Sequence, residues 1–352
     1  MDSVGQHNGN ILGFRKEQGV LGNIQILRFA AALLVVLFHV AWTAQNEGNP
    51  TRFLAGFIKW GEAGVDIFFV ISGFVMVLSQ ARSPRRVDQF LIERALRIVP
   101  MYWILTLLST ALLLLLPGLF SSSSFSVQKT LTSLFFVNSW LGQGYPVLYV
   151  GWTLEYEWLF YLIISLSFML FPIGFTWIAV LAVFLALNWA GPVELVSLEF
   201  VYGMVIGLLY LRGKRLPKPA LFVAGGVLLL AAFAQLPAGQ LPRQISYGVP
   251  ALLIVAALVC LPQVKGKAAL FLGAASYDIY LIQVFTIPVV FRLIGKLFVL
   301  PSDLTALLAA AVTLVAGGLA CALVEKPLTN RMKDWLRASP RLDIGARSRP
   351  VR

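Results

Sequence analysis

Long apolar segments, separated by short polar stretches, run along almost the whole chain. They lie at roughly 24–44, 62–80, 98–117, 150–170, 173–190, 195–211, 220–236, 244–262, 268–291 and 303–324. Each contains about 17–24 residues, and a helix of that length crosses the roughly 30 Å hydrocarbon core of a bilayer. The pattern predicts an all-α, polytopic integral membrane protein with about ten transmembrane helices.

The composition supports this interpretation. Hydrophobic residues make up 59% and charged residues 12% of the 352 residues, and the mean hydropathy is +0.81. A soluble domain carries roughly 25% charged residues, so this chain has too little charge for an ordinary solvated surface. Cys260 and Cys321 lie in apolar segments. We therefore expect them to be small buried side chains rather than part of a disulfide or a metal site.

Basic residues are distributed unevenly between the two sides of such a bundle. With the N-terminus inside and ten crossings, 21 of the 28 Lys and Arg residues fall inside and six outside, while Arg28 lies within the first span. Cytoplasmic loops carry such an excess, so both termini are predicted to be cytoplasmic. The short apolar stretch 128–141 is then part of an external, partly helical or re-entrant loop, 118–149. If it crossed, the four basic residues of 212–218 would fall outside.

This topology divides the chain into an N-terminal cytoplasmic tail (1–23), a membrane domain (24–330) and a basic C-terminal tail (331–352), for which we expect disorder. The net charge of +12 raises the question of nucleic-acid binding. The basic residues lie beside the spans, which instead indicates that they determine the topology and contact anionic lipids. We expect membrane lipids, and no nucleic acid, as partners.

Two ionisable residues share one face of the first span. Ionisable side chains inside spans are costly and usually mark function. Arg28 and His39 are eleven residues apart, and eleven steps of about 100° return to within about 20° of the starting direction. They are separated by about 16 Å along the axis, with Arg28 near the cytoplasmic end. A snorkelling arginine and a structural histidine are the alternative interpretation.

The second and fourth spans also carry acids. Asp66 enters from the outer side near the depth of His39, where a carboxylate can fix the tautomer of an imidazole and raise its basicity. Glu155 and Glu157 also lie near the outer face, about 200° apart, so only one can easily face the bundle. The alternative for these two is an interfacial aromatic belt with exposed acids. The small residues Ser72 and Gly73 in the second span permit close helix approach, and this alone is an adequate structural explanation for their presence.

On the inner face, Arg94 and Arg97 open the third span one helical turn apart. Two guanidinium groups at this spacing suit bidentate binding of phosphate, although such a pair alone is more often a topology signal. Asp278 lies near the middle of the ninth span, and its spacing assigns it no role.

At these residues the chain resembles the membrane-bound acyltransferase type 3 family, which modifies cell-surface sugars in bacteria. The ordered motifs cover about 24–330, and the set is highly specific although each motif is weak. Size and the missing soluble extension are similar to the exopolysaccharide-production subgroup. The motifs are Arg28-(ten residues)-His39, Gly64-Val-Asp-Ile-Phe-Phe-Val-Ile-Ser-Gly-Phe74, Arg94-x-x-Arg97-Ile-Val-Pro100-Met-Tyr102-Trp103, Trp152-Thr-Leu-x-x-Glu157-x-x-Phe160-Tyr161, Ser276-Tyr-x-Ile-Tyr280-Leu and Val324-Glu-Lys-Pro327.

The resemblance implies O-acylation, usually acetylation, of a glycan or lipid-linked saccharide at the bacterial inner membrane. Acyl-CoA, usually acetyl-CoA, is then the co-substrate, and we expect no permanently bound cofactor and no metal. The residues assigned as catalytic are His39 as general base, with Asp66 or Glu157 orienting it; Glu157, not Glu155, is the family's acid. The donor-side residues are Arg28, Arg94 and Arg97. The candidate substrate-binding residues are Ser72, Trp152, Tyr156 and Asp278.

One position departs from the family. Many members carry a histidine where this chain has Gln283. If that histidine contributes in other members, its part here is lost or is replaced by an amide hydrogen bond.

Two other functions share the predicted spans and intramembrane charges. A glycolipid or sugar transporter or flippase is one, but transporters often show internal repeats of their spans and none is found here. The arginine pair also has no clear place in a transporter. A purely structural membrane subunit is disfavoured by the number of ionisable groups within the spans.

Overall fold

The computed structural model of the protein describes residues 21–116, 125–237, 239–294 and 300–338. In these residues the regular secondary structure is helical, with no strand, which confirms the predicted all-α class for this part of the chain. The α-helices are α1 (Gly22–Asn46), α2 (Phe57–Trp60), α3 (Ala63–Arg82), α4 (Val87–Leu115), α5 (Val127–Leu134), α6 (Trp152–Leu170), α7 (Thr176–Trp189), α8 (Leu198–Leu211), α9 (Pro219–Phe233), α10 (Val249–Leu258), α11 (Lys267–Val289), α12 (Ser302–Ala320) and α13 (Lys326–Ala338).

Within the described ranges, six helical stretches are long and apolar enough to cross a membrane. They are Gly22–Asn46, Phe57–Arg82, Val87–Leu115, Tyr149–Leu170, Lys267–Leu293 and Ser302–Leu336. Four shorter apolar helices coincide with the remaining predicted segments: Thr176–Trp189, Leu195–Leu211, Pro219–Phe233 and Gln244–Leu258. Because each of these four has 17 residues or fewer, length does not decide whether it crosses. A total of ten spans stays a prediction.

Glycines bring two central helices into backbone contact. Helices α3 and α8 meet at Gly73 and Gly203, where an added Cβ would lie 1.9 Å from the carbonyl oxygens of Phe200 and Val70, respectively. Small residues permit such close approach, and in lipid this van der Waals contact is a main source of helix association. The close approach predicted at Gly73 is confirmed.

The segment between α4 and α6 folds against the bundle rather than crossing it. Its described part contains the eight-residue helix α5, which is too short to span a bilayer. The carboxylate of Glu155 in α6 accepts hydrogen bonds from the backbone N–H groups of Asn138 (3.0 Å) and Ser139 (2.9 Å). The prediction of a short, partly helical segment is confirmed, and its external location stays a prediction.

The C-terminal helix corrects one predicted boundary. Residues 331–338, which were assigned to a disordered tail, belong to α13, which extends to Ala338. The remaining parts of the predicted tails, 1–20 and 339–352, lie outside the described residues.

Candidate active site

A cleft opens among α1, α3, α4, α6 and α11. It encloses about 780 Å³, including the open part at its mouth. Residues from α3, among them Phe68, Phe69 and Val75, form much of its apolar wall. Its polar lining consists of Arg28, Ser72, Arg94, Arg97, Thr153, Glu157, Tyr161, Tyr277 and Tyr280. All three predicted donor-side arginines therefore line one cavity.

The three arginines have few partners in the protein. In the part of the chain that the structure describes, Arg28 and Arg97 form no hydrogen bond or ion pair. The side chain of Arg94 is 13% exposed, its nearest carboxylate is that of Glu93 at 3.8 Å, and its Nε is buried without a partner. An unsatisfied buried donor costs about 1–3 kcal/mol, so an anion with several oxygens would be stabilised here.

Glu157 lines the cleft together with these arginines. Its Oε1 accepts a hydrogen bond from the Ser72 hydroxyl at 3.0 Å and a second from the Tyr161 hydroxyl. Its predicted outer-face location stays a prediction, but the prediction that Glu157 orients His39 is wrong, because His39 bonds Gln283 and only Ser72 and Tyr161 bond Glu157 in the described residues. Glu157 is the sixth residue of α6, which begins at Trp152, and five steps along a helix advance about 7.5 Å.

Both acids of this span face protein, which corrects the prediction that only one could do so. Glu157 enters the cleft, and the buried carboxylate of Glu155 holds the α5 segment packed on the opposite side of α6. The angular separation was estimated correctly. The alternative of exposed interfacial acids is wrong for Glu155, which is fully buried.

His39 lies one helical turn beyond the end of the cleft. Its Nδ1 is 2.9 Å from the Val35 carbonyl oxygen and 3.1 Å from Oε1 of Gln283, and its ring centroid is 5.1 Å from that of Tyr149. Gln283 follows Tyr280 by three residues in α11, and Tyr280 lines the cleft. Since α1 is unbroken from Gly22 to Asn46, the predicted shared face of Arg28 and His39 is maintained.

Asp66 has a partner other than the one predicted. Its fully buried carboxylate accepts hydrogen bonds from Arg243 Nε at 3.1 Å and Nη2 at 2.8 Å. Arg243 Nη1 also bonds Glu62 at 2.8 Å. Asp66 thus forms a buried ion pair instead of orienting His39. Arg243 is one of the six basic residues predicted to lie outside, and the pairing was not predicted. A carboxylate buried within a span needs a cation beside it, so Asp66 itself was the sequence signal for such a partner.

Trp152 and Tyr156 lie in the N-terminal part of α6, outside the cleft lining. Their rings pack together at 5.8 Å, and Trp152 lies 6.5 Å from Phe69, which lines the cleft. The Tyr156 hydroxyl accepts a hydrogen bond from the Glu194 N–H at 3.1 Å. Of the predicted substrate-binding residues, the structure brings only Ser72 into the cleft.

Asp278 lies outside the cleft lining, in a cluster with Cys321 and Glu325. One ligand atom from each of the three lies within 4.8 Å of the others, a spacing that could hold a metal ion. Both Asp278 oxygens are buried and without a hydrogen-bond partner among the described residues. Both cysteines are free, as predicted; Cys321 is buried, as predicted, whereas Cys260 is only partly buried. The expectation of a metal-free protein stays a prediction.

Several known proteins are similar to this chain in sequence. The chain is 38% identical over 292 residues to the exopolysaccharide production protein ExoZ of Rhizobium meliloti (strain 1021), an alignment that covers 77% of this chain and 90% of that protein. It is 30% identical over 195 residues to an O-acetyl transferase of Shigella phage Sf6, covering 53% and 57% of the two chains. It is 27% identical over 358 residues to the acyltransferase MdmB of Streptomyces mycarofaciens, covering 86% and 89%.

No solved structure matches the chain significantly. The sequence model of the acyltransferase domain matches residues 21–324, which contain every helix that contributes to the cleft. This match decides between an enzyme and the transporter considered above. The chain belongs to the acyltransferase domain family, and it is a multi-pass membrane acyltransferase.

Proposed function

We propose that this protein transfers an acyl group, most simply acetyl, from acyl-CoA to a hydroxyl group of an exported polysaccharide or its lipid-linked precursor. The observation that carries the proposal is the arrangement of Arg28, Arg94 and Arg97 in a cleft that ends one helical turn from His39. The printed names of two relatives, an exopolysaccharide production protein and an O-acetyl transferase, support the acceptor class and the transferred group.

The arginines suit the donor. CoA carries several phosphate groups, and guanidinium groups bind phosphate through charge-assisted, often bidentate, hydrogen bonds. The acyl group of CoA lies at the end of a long, thin arm. Arg28 and His39 are about 16 Å apart along α1, so an extended arm held by the arginines would bring the thioester towards His39 past Tyr280.

His39 suits the role of general base. A neutral imidazole has a lone pair on one of its two ring nitrogens, which can accept a proton. It would take the proton of the acceptor hydroxyl as the oxygen attacks the thioester carbonyl. Glu157 has a different part in this proposal. Its charge faces Arg28, and its hydrogen bonds with Ser72 and Tyr161 hold it among the donor-binding groups.

The basic distribution supports a bacterial inner-membrane location with both termini cytoplasmic. The arginines of the cleft then lie towards the cytoplasm, where acyl-CoA is found. His39 lies in the outer half of the membrane, towards an acceptor being exported.

Substitution of His39 tests the proposal. His39→Gln keeps most of the volume and part of the hydrogen bonding but cannot take up the proton. We expect incorporation of label from acetyl-CoA into polysaccharide to fall by about 10²–10⁴-fold, while acyl-CoA binding and the Tm stay close to the wild-type values. His39→Ala should be equally inactive. Substantial turnover by His39→Gln would exclude His39 as the base and would direct attention to Glu157.

A further inference from the structure

The Nδ1 atom of His39 faces two hydrogen-bond partners. One is the backbone carbonyl oxygen of Val35 at 2.9 Å, which can only accept. The other is the side-chain amide of Gln283 at 3.1 Å, which lies on α11, 244 residues further along the chain. An amide can either donate or accept, so the orientation of the Gln283 amide decides how the imidazole is protonated.

A third contact determines that orientation. Gln283 Nε2 donates to the backbone carbonyl oxygen of Tyr280 at 2.8 Å, and the whole side chain is buried. A flipped amide would place its oxygen against the Tyr280 carbonyl and its N–H groups against His39 Nδ1, which already faces the Val35 carbonyl. Both changes put like against like, so one orientation satisfies all the groups. The amide oxygen therefore faces His39.

We propose that Gln283 is a positioning residue that holds His39 in the Nδ1–H tautomer, so that the lone pair needed for catalysis is on Nε2. This deepens the proposed function and rests on it for its catalytic meaning. Both neighbours of Nδ1 accept, hence Nδ1 must carry the proton in the neutral ring. The same two acceptors restrict rotation of the imidazole about its side-chain bonds.

The assignment specifies the route of the proton. Nε2 of His39 takes the proton of the acceptor hydroxyl while the oxygen forms a bond to the thioester carbonyl carbon. The C–S bond then breaks, and the CoA thiolate leaves and takes the proton from Nε2–H. The products are the O-acyl ester and free CoA thiol, and His39 returns to its starting tautomer. Gln283 exchanges no proton, and its oxygen stabilises the transient imidazolium.

The tautomer can be measured directly, because the chain has only two histidines. In the His7→Ala protein labelled with ¹⁵N-histidine, every imidazole signal comes from His39. We expect the spectrum of the neutral ring to show a protonated Nδ1 and an unprotonated Nε2. In His7→Ala/Gln283→Leu only the Val35 carbonyl remains to accept from Nδ1, and we expect the fraction of the Nδ1–H tautomer to fall measurably. If the neutral His39 ring of the His7→Ala protein is protonated on Nε2, the proposal is overturned, whatever the activity of the enzyme.

Activity provides the second measurement. Gln283→Leu should lower kcat by about 10–100-fold, by analogy with the loss of the partner that orients a metal-ligating histidine. It should leave the KM for acyl-CoA unchanged. Gln283→Glu, with its carboxyl group protonated, keeps an acceptor oxygen for His39 and a donor for the Tyr280 carbonyl, so it should restore both the tautomer and most of the lost kcat. Thr286→Val is the matched control, because Thr286 lies one turn further along α11 and bonds Thr313 at 2.7 Å.

The outcomes separate this inference from the proposed function. If His39→Gln is inactive but Gln283→Leu retains wild-type kcat and tautomer, the positioning role is refuted and the base remains. If His39→Gln is active, the base is refuted, and the tautomer spectrum still decides what Gln283 does to the ring. If Gln283→Leu and Thr286→Val lose Tm and kcat equally, with the tautomer unchanged in both, Gln283 is only a structural contact.

Discussion

We expect the loss of Arg243 to destabilise the protein strongly, because it is the cation that pairs with the buried carboxylate of Asp66. Its guanidinium makes two hydrogen bonds to Asp66, whose side chain is 0% exposed. In Arg243→Gln the carboxylate remains buried but loses its cation, a change that costs about 3–5 kcal/mol. Glu62 adds little, because its side chain is 39% exposed and exposed pairs contribute less than about 1 kcal/mol.

A second substitution makes the prediction sharper. In Asp66→Asn, Arg243 keeps Glu62 and some contact with water, so we expect a loss of only about 1–2 kcal/mol. The double variant has no unpaired charge at position 66. It should therefore be more stable than Arg243→Gln alone.

Thermal unfolding in detergent, followed by tryptophan fluorescence, measures this series, with acyl transfer assayed on the folded fraction. Lys214→Gln is the control, since Lys214 is exposed. We expect Arg243→Gln to have the lowest Tm, and folded Asp66→Asn to keep its activity. The reasoning is refuted if the double variant, Asp66→Asn/Arg243→Gln, is no more stable than Arg243→Gln alone. It is equally refuted if Asp66→Asn keeps its Tm but loses turnover, since Asp66 would then act in catalysis.

Three further predictions concern the cleft, the packing and the topology. Arg94→Ala and Arg97→Ala should each weaken acyl-CoA binding in detergent by about 10–100-fold while Tm is maintained, because a charge-assisted hydrogen bond contributes about 1.5–3 kcal/mol; unchanged affinity would leave them as topology signals. Gly73→Ala should lower stability by at least about 1–3 kcal/mol, since its Cβ meets backbone, whereas Gly225→Ala, with nothing within 4 Å, should be neutral or slightly stabilising. Reporter fusions at position 125 and at the C-terminus should give signals from opposite sides of the membrane, and same-side signals would refute the ten-span topology.

The sequence alone was sufficient to locate the long apolar helices and to predict which residues of one helix share a face. Apolar segments long enough to cross a bilayer coincide with α1, α3, α4, α6, α11 and α12. The 3.6-residue period placed Arg28 and His39 on one face of α1, and Arg94 and Arg97 one turn apart in α4. These conclusions depend on local geometry, which a helix repeats whatever surrounds it. The family motifs indicated the reaction class, because their order along the chain is a property of the sequence and does not depend on the tertiary structure.

The partners of the buried polar groups were decided only by the tertiary structure. We paired His39 with Asp66 or Glu157 from their estimated depths. In the structure His39 bonds Gln283, 244 residues away, and Asp66 bonds Arg243, 177 residues away. Periodicity gives the direction of a side chain from its own helix axis, but not which helix lies opposite or how far it is shifted along the membrane normal. A shift of five residues is about 7.5 Å, which is enough to move Glu157 away from His39 and towards the arginines of the cleft.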